Sequence, residues 1–129
     1  MTKAKKPYIP WMQRTEAARF SFIKGALRAG TVRYPPKYEV LNAAKRGKMV
    51  NDQTGRLAEH YQCAACGGLF VASNIVADHI EPVIPVSGFT NWHDVVVRLF
   101  CNPSGLQVLC KPCHKLKTQA ENAERKKSK

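Results

Sequence analysis

Hydrophobic and polar positions near the start of the chain follow a helical period. Phe20, Ile23 and Leu27 lie three and four residues apart and form one apolar stripe, with basic and polar residues between them. The pattern predicts a helix over residues 15–29, which Gly30 would end.

A weaker stripe follows the Tyr-Pro-Pro break at residues 34–36. Its spacing predicts a second helix over residues 37–48, with one side formed by Tyr38, Leu41 and Ala44. Residues 49–58 are polar and predict a connection. We therefore interpret residues 1–60 as a basic helical N-terminal extension.

From residue 61 onward the long stripes give way to short apolar runs separated by Gly, Pro and Asn. Pro112 suits the first turn of a final helix, where a missing N–H costs nothing. This alternation predicts an α+β core over residues 61–129. The runs predict, in order, a hairpin, a strand, a helix, a strand and a helix at residues 61–72, 75–80, 92–100, 106–109 and 112–125.

The charge of the chain indicates a polyanionic partner. The 129 residues carry 21 Lys and Arg against 9 Asp and Glu, a formal net charge of +12. Residues 1–60 contribute +9 of this charge and residues 61–129 contribute +3. Binding to phosphates releases condensed counterions, so DNA is the natural partner. A small basic protein of the ribosomal or packaging type would carry the same charge.

The basic side chains of the extension are the candidate DNA phosphate contacts. No segment resembles a base-reading helix, so we expect low sequence specificity. The alternative is a solvated basic face on helices that pack against the core. The candidates, which include one lysine of the final helix, are Arg14, Arg19, Lys24, Arg28, Arg33, Lys45, Arg46, Lys48 and Lys117.

Hydropathy predicts a cytoplasmic protein without a membrane partner. No apolar run approaches the ~18 residues that a membrane-spanning helix needs. The basic start at residues 1–6 is not followed by the apolar segment of a secretion signal.

Four of the five cysteines form two Cys-x-x-Cys pairs. Cys63 and Cys66 are separated from Cys110 and Cys113 by 43 residues. In a cytoplasmic protein such pairs are typical of metal ligands rather than disulfides. Four thiolates complete a tetrahedral zinc site, so we predict structural Zn²⁺, with buried reduced thiols as the alternative. The fifth, Cys101, is predicted to be a small buried residue.

Three further side chains have no task in a four-cysteine zinc site. Asp78 and His79 lie between the pairs, and His114 directly follows the second pair. An imidazole titrates near neutral pH, so His79 suits a base that activates water. Asp78 and His114 offer a carboxylate and an imidazole to a divalent ion, which favours phosphodiester hydrolysis.

Each of these residues also has an ordinary structural interpretation. His79 could be a hydrogen-bonded structural histidine, Asp78 could cap a turn, and His114 could cover the zinc sulfurs. Adjacent strand residues point to opposite faces, so Asp78 and His79 share a site only where the strand ends or twists. The following Glu81-Pro82 predicts such an end.

Three separated blocks resemble HNH endonucleases, most closely the small free-standing HNH proteins of phage genomes. The blocks are Val-Ala-Asp-His-Ile-Glu-Pro at 76–82, Leu-Gln-Val-Leu-Cys at 106–110 and Cys-His-Lys-Leu-Lys-Thr at 113–118. The resemblance covers residues 61–118. It implies a ββα-metal (His-Me finger) core, in which two short strands and a helix surround one catalytic divalent ion.

The resemblance implies His79 as general base and Asp78 and His114 as ligands of a catalytic Mg²⁺ or Mn²⁺. The middle asparagine of the family has no direct match, because Gly105 stands where it is expected. Asn102 is the nearest candidate for that role, with backbone groups as the alternative.

Two further residues have weaker claims to a role. Asn91 is a second candidate for the missing asparagine. Arg98 is a candidate for clamping a phosphate or stabilising the transition state, and a solvated arginine is an equally good interpretation.

Together these observations predict a monomeric DNA endonuclease that nicks or cleaves with structural Zn²⁺ and catalytic Mg²⁺ or Mn²⁺. A phage packaging or replication protein is a candidate partner. The alternative is a non-catalytic zinc module that binds nucleic acid or protein. That alternative explains the cysteines and the charge but leaves Asp78, His79 and His114 without a task.

Overall fold

The computed structural model describes residues 5–127, which form a mixed α+β structure with two small sheets. The described chain divides into two compact units, one ending at Val32 and the other beginning at Arg33. The helices are α1 (Glu16–Ala29), α2 (Pro35–Ala43), α3 (Trp92–Leu99) and α4 (Lys111–Lys127). The strands are β1 (Lys45–Val50), β2 (Leu57–Gln62), β3 (Leu69–Val71), β4 (Ile75–His79) and β5 (Leu106–Cys110).

The first unit is built around α1, which confirms the predicted first helix. The hydroxyl of Thr15 accepts a hydrogen bond from the backbone N–H of Ala18 at 3.1 Å and caps its start. None of the residues of α1 is buried. The rings of Trp11 and Phe22 meet edge to face at 5.5 Å, and this aromatic contact holds the preceding segment on the helix.

The second predicted helix is shorter than the sequence pattern suggested. α2 ends at Ala43, and residues 45–50 form strand β1 instead of continuing the helix to residue 48. Gly47 has φ +109°, a conformation that a helix excludes, and it lies at a bulge in the pairing with β2. Hairpin pairing with the next strand, β2, therefore overrides the helical spacing. The boundary predicted at residue 60 lies inside β2.

The strands form two separate antiparallel sheets. One has the order β1-β2-β3, and the other is the pair β4-β5. In the second sheet Asp78 lies opposite Gln107, and His79 lies opposite Leu106. The helix α4 follows β5 without a linker and contacts both strands of this pair. The order strand, strand, helix is thus present at residues 75–127, with α3 in the connection between the strands.

The interior is small and lies beside the cysteines. Cys63, Leu109 and Cys110 form one buried cluster, which Phe70 and Val76 cover. The start of α2 is anchored elsewhere, where the hydroxyl of its preceding tyrosine, Tyr34, donates to the carbonyl of Cys101 at 2.7 Å. Among residues 5–127, no helix combines the length and the apolar character needed to cross a bilayer.

Candidate metal centre and adjoining carboxylate–histidine site

The four paired cysteines converge on one point, as the sequence predicted. The sulfur atoms of Cys63, Cys66, Cys110 and Cys113 all lie within 4.8 Å of one another, and those of Cys66 and Cys110 are 3.9 Å apart. Tetrahedral zinc with 2.3 Å bonds holds its sulfur ligands about 3.8 Å apart. The cluster therefore has the donor atoms and the spacing for a metal such as zinc.

Backbone hydrogen bonds fix the first cysteine pair in a tight turn. The N–H of Cys63 donates to the carbonyl of Gly68 at 2.9 Å, and the N–H of Gly67 donates to the carbonyl of Cys63 at 2.9 Å. Gly67 has φ +72°, which favours glycine at this position. The N–H of Cys66 points at the sulfur of Cys63 at 3.5 Å, so both sulfurs face inward.

The second cysteine pair is placed by the junction of β5 and α4. Cys110 is the last residue of the strand and is 2% exposed, whereas Cys113 lies in the first helical turn. The N–H of Ala64 in the first pair donates to the carbonyl of Val108 at 2.8 Å. This bond ties the two pairs together without any metal.

The thiols of the cluster hold their protons unequally. Burial raises the pKa of Cys63, but hydrogen bonds from the backbone of Cys66, Cys110 and Ala65 outweigh burial and lower the pKa to about 6. The pKa of Cys113 is raised to about 12, first by its hydrogen bond to the sulfur of Cys110 and then by burial. A bound cation replaces the proton that Cys113 holds, because the thiolate is the metal ligand.

Asp78 and His114 meet beside the cysteine cluster. The carboxylate of Asp78 is buried, and its Oδ1 lies 3.5 Å from Nε2 of His114. The side chain of His114 is 42% exposed, so one member of the pair is held inside while the other is open to solvent. The helical turn that points Cys113 at the sulfur cluster rotates the next residue by about 100° towards β4.

The other oxygen of Asp78 is occupied by two donors that sequence reasoning did not assign to this site. Nε2 of Gln107 donates to Oδ2 at 3.0 Å, and Nζ of Lys117 lies 3.2 Å from the same oxygen. Gln107 is the cross-strand partner of Asp78, and Lys117 is one helical turn after His114. That i, i+3 spacing was the available signal for Lys117, which the sequence had suggested only as a DNA contact.

His79 is held apart from the Asp78–His114 pair, on the side of α3. Its Nε2 lies 2.9 Å from the carbonyl oxygen of Leu99. A carbonyl can only accept, so Nε2 carries the hydrogen and Nδ1 of the neutral ring holds the free lone pair. Among the described residues, no hydrogen bond or ion pair joins the side chain of His79 to Asp78 or His114. β4 ends at His79, so the side chains of Asp78 and His79 lie at the end of the strand, where its regular alternation stops.

The structure of the described residues assigns the role of the family's middle asparagine to no particular side chain, and a backbone hydrogen bond is present at Gly105, the position where that asparagine is expected. The N–H of Ile80, next to His79, donates to the carbonyl of Gly105 at 3.0 Å. Asn102 is exposed at the start of the turn that contains Gly105, and its side chain does not cap that turn. Asn91 caps α3, since its Oδ1 accepts from the N–H of Asp94 at 2.9 Å.

We expect Gly105→Ala to lower the free energy of unfolding by about 1–3 kcal/mol, the usual range for overpacking. The added Cβ would lie 2.8 Å from the sulfur and 3.1 Å from the Cβ of Cys101. Cys101→Ala removes the closer contact. The free energy of unfolding of the double variant should therefore fall by less than the sum of the decreases in the two single variants. Urea denaturation of the four proteins measures this coupling.

Gly25→Ala is the matched control, because a Cβ at Gly25 meets nothing within 4 Å. If Gly105→Ala lowered the free energy of unfolding equally in the native and the Cys101→Ala backgrounds, the steric explanation would be wrong. Asparagine at position 105 carries the same Cβ and would meet the same close contact with Cys101.

Two clefts adjoin the residues of this site. One of about 320 Å³ is lined by Arg98 and Glu81, and Nη1 of Arg98 donates to the carbonyl of Pro82 at 3.2 Å within this region. The other, of about 440 Å³, is lined by His114 together with Lys37 and Tyr61. Each cleft is thus lined by one arginine or lysine side chain, Arg98 in the first and Lys37 in the second.

The predicted DNA contacts differ in their exposure to solvent and in whether their cationic groups contact other side chains. Arg14 lies over the rings of Tyr8 and Trp11, and Nε of Arg46 donates to Gln62 at 3.0 Å. Nζ of Lys24 is 5.8 Å from the ring centre of Phe20. Among the predicted contacts of the N-terminal extension, the half-buried side chains are Arg14, Arg19 and Lys24, and the exposed ones are Arg28, Arg33, Lys45, Arg46 and Lys48.

Comparison with protein-family models, with curated proteins and with solved structures gives no match to this chain. The interpretation of the site therefore depends on its own residues and their geometry.

Proposed function

We propose that the protein is a metal-dependent endonuclease of the HNH type that hydrolyses DNA phosphodiester bonds. The observation that carries the proposal is the Asp78–His114 pair, 3.5 Å apart, on a strand-strand-helix unit that also supplies Cys110 and Cys113 to the four-cysteine cluster. A zinc module that only binds has no use for a buried carboxylate paired with an exposed imidazole.

The donor set of the pair fits a catalytic Mg²⁺ or Mn²⁺. Neighbouring ligands in an octahedral shell with bonds of about 2.1 Å lie about 3.0 Å apart. The separation of 3.5 Å between Asp78 and His114 is close to this value, and the exposed ring of His114 can adjust. When bound there, the ion supplies positive charge that stabilises the pentacovalent phosphate and the leaving oxygen.

His79 supplies the base in this scheme. Its Nδ1 accepts a proton from the attacking water, and the hydrogen bond from Nε2 to the Leu99 carbonyl keeps the ring in the required tautomer. The same bond stabilises the protonated ring, because Nε2–H remains a donor. Arg98, in the last turn of α3, and Asn102, in the turn that follows the helix, are proposed to assist, Arg98 by holding a phosphate.

DNA is the proposed substrate because of charge. The chain carries a net charge of +12, most of it in residues 1–60. The predicted basic contacts, among them the exposed Arg28 and Arg33, are proposed to contact phosphates in a way that does not depend on base sequence. The four cysteines are proposed to hold zinc with a structural role, since a four-sulfur site leaves no position open for water.

A supercoiled plasmid tests the proposal. The zinc-loaded protein is incubated with plasmid and with added Mg²⁺, added Mn²⁺ or neither, and His79→Ala purified in parallel reports contaminating nuclease. Conversion to open-circle or linear DNA that requires the added ion and is absent from the variant is the expected result. A shift in gel mobility without any conversion under these conditions would favour the non-catalytic zinc module.

A further inference from the structure

Lys117 connects the two halves of the proposed site. Its Nζ lies 2.9 Å from the carbonyl oxygen of His79, 3.2 Å from Oδ2 of Asp78, and 3.3 and 3.4 Å from the two carboxylate oxygens of Glu121. Its side chain is 23% exposed. We propose that Lys117 is a positioning residue that weakens divalent-ion binding while it aligns the base, an inference that rests on the endonuclease function proposed above.

The hydrogen bonds of Asp78 determine which of its oxygens a cation can reach. Oδ2 accepts from Gln107 at 3.0 Å and lies 3.2 Å from the ammonium of Lys117. Oδ1 faces His114. With Oδ2 held by Gln107 and Lys117, Asp78 offers Oδ1 to an ion held with His114.

The charge of Lys117 acts on the same ion. An ammonium 3.2 Å from a buried carboxylate offsets much of the attraction that Asp78 exerts on a cation, since solvent screens poorly there. Without that ammonium, the carboxylates of Asp78 and Glu121 both lose the cation that they share. Removal of the charge should therefore strengthen ion binding.

The charge of Lys117 weakens ion binding, whereas its contact with the backbone of His79 favours the cleavage reaction. It ties the end of β4 to α4 and so fixes the residue that carries the base. Loss of this contact releases the base from its place relative to Asp78, and a small displacement lowers the rate strongly. Tighter ion binding combined with slower cleavage is a signature that a merely structural lysine would not produce.

The test compares Mn²⁺ binding and DNA cleavage in zinc-loaded protein. Free Mn²⁺ is measured by electron paramagnetic resonance for the native protein, Lys117→Met and Lys117→Gln. The matched control is Lys115→Met, which removes the same charge from an exposed position on the same helix. Zinc content and circular dichroism establish that each variant is folded.

We expect Lys117→Met to bind Mn²⁺ about tenfold more tightly and Lys115→Met to change the affinity by less than about twofold. Cleavage at saturating Mn²⁺ should fall about tenfold in Lys117→Met and recover partly in Lys117→Arg, which keeps the charge. If Lys117→Met does not fold, Lys117→Gln gives the affinity comparison. Unchanged or weaker Mn²⁺ binding in the neutral variant overturns the inference. If native protein does not cut DNA, the proposed function fails, while the Mn²⁺ comparison still decides the effect of Lys117 on the ion.

Discussion

His79→Ala is expected to reduce the rate of DNA cleavage by about 10²–10⁴-fold, the usual contribution of a positioned general base. The variant loses the Nδ1 lone pair that would accept the proton of water, while Asp78, His114 and the cysteine cluster are unchanged. DNA binding should persist, because the charge of the chain is the same. The measurement is the initial rate of open-circle formation at saturating Mn²⁺, together with a gel-shift titration.

His93→Ala is the matched control for this experiment. His93 is an exposed histidine on α3, and its removal should leave the cleavage rate within about twofold of the native rate. Added imidazole should restore part of the activity of His79→Ala, since a free base can enter the space left by the side chain. A His79→Ala protein that cuts at the native rate would remove His79 from the mechanism.

Cys110→Ala is expected to abolish the folded state of the second unit. Structural zinc contributes roughly 10–16 kcal/mol of apparent binding free energy in small domains, whereas a whole domain is stable by about 5–15 kcal/mol. Cys110 is also 2% exposed within the main buried cluster, so its loss removes a ligand from the centre of the core. Circular dichroism and measured zinc content should both show the loss.

Cys101→Ala separates zinc binding from the general effect of removing a cysteine. Cys101 lies outside the four-sulfur cluster, and burial raises the pKa of its thiol, so it stays protonated. This variant should keep its zinc and its spectrum. A soluble Cys110→Ala protein with native-like circular dichroism and no zinc would show that the metal is not required for folding.

The elements around the cysteines could be predicted because their signals are local. The Cys-x-x-Cys spacing indicated the sulfur cluster, and the positions of Asp78 and His114 indicated a second pair of donors, which the structure brings to 3.5 Å. Short apolar runs indicated β4 and β5, and Pro112 indicated the start of α4. Within each motif the signal depends on residues a few positions apart, although the two cysteine pairs are separated by 43 residues.

The parts that could not be predicted depend on contacts that the spacing of apolar residues does not show. Strand β1 forms because residues 45–50 pair in a hairpin with β2, and this pairing overrides the helical spacing that precedes it. The hydrogen-bond partner of the His79 ring is the backbone carbonyl of Leu99, 20 residues away. Every residue has a backbone carbonyl, so the sequence does not identify which one is the partner. The close approach of Cys101 to Gly105 is likewise visible only in three dimensions.

The pairing of β4 with β5 determines how this chain can tolerate changes in length. Asp78 lies opposite Gln107, and side chains alternate between the two faces of the pair. One codon inserted within either strand would shift the register by one residue and move each side chain to the opposite face of the pair. The carboxylate of Asp78 would then no longer face α4, and the side chain of an adjacent residue would face it instead. Residues 80–105 connect the two strands, and the exposed stretch around Phe89 and Thr90 belongs to no strand. A change of length there does not alter the strand register. Insertions and deletions during the divergence of such genes should therefore accumulate in that stretch, while the strands keep their lengths.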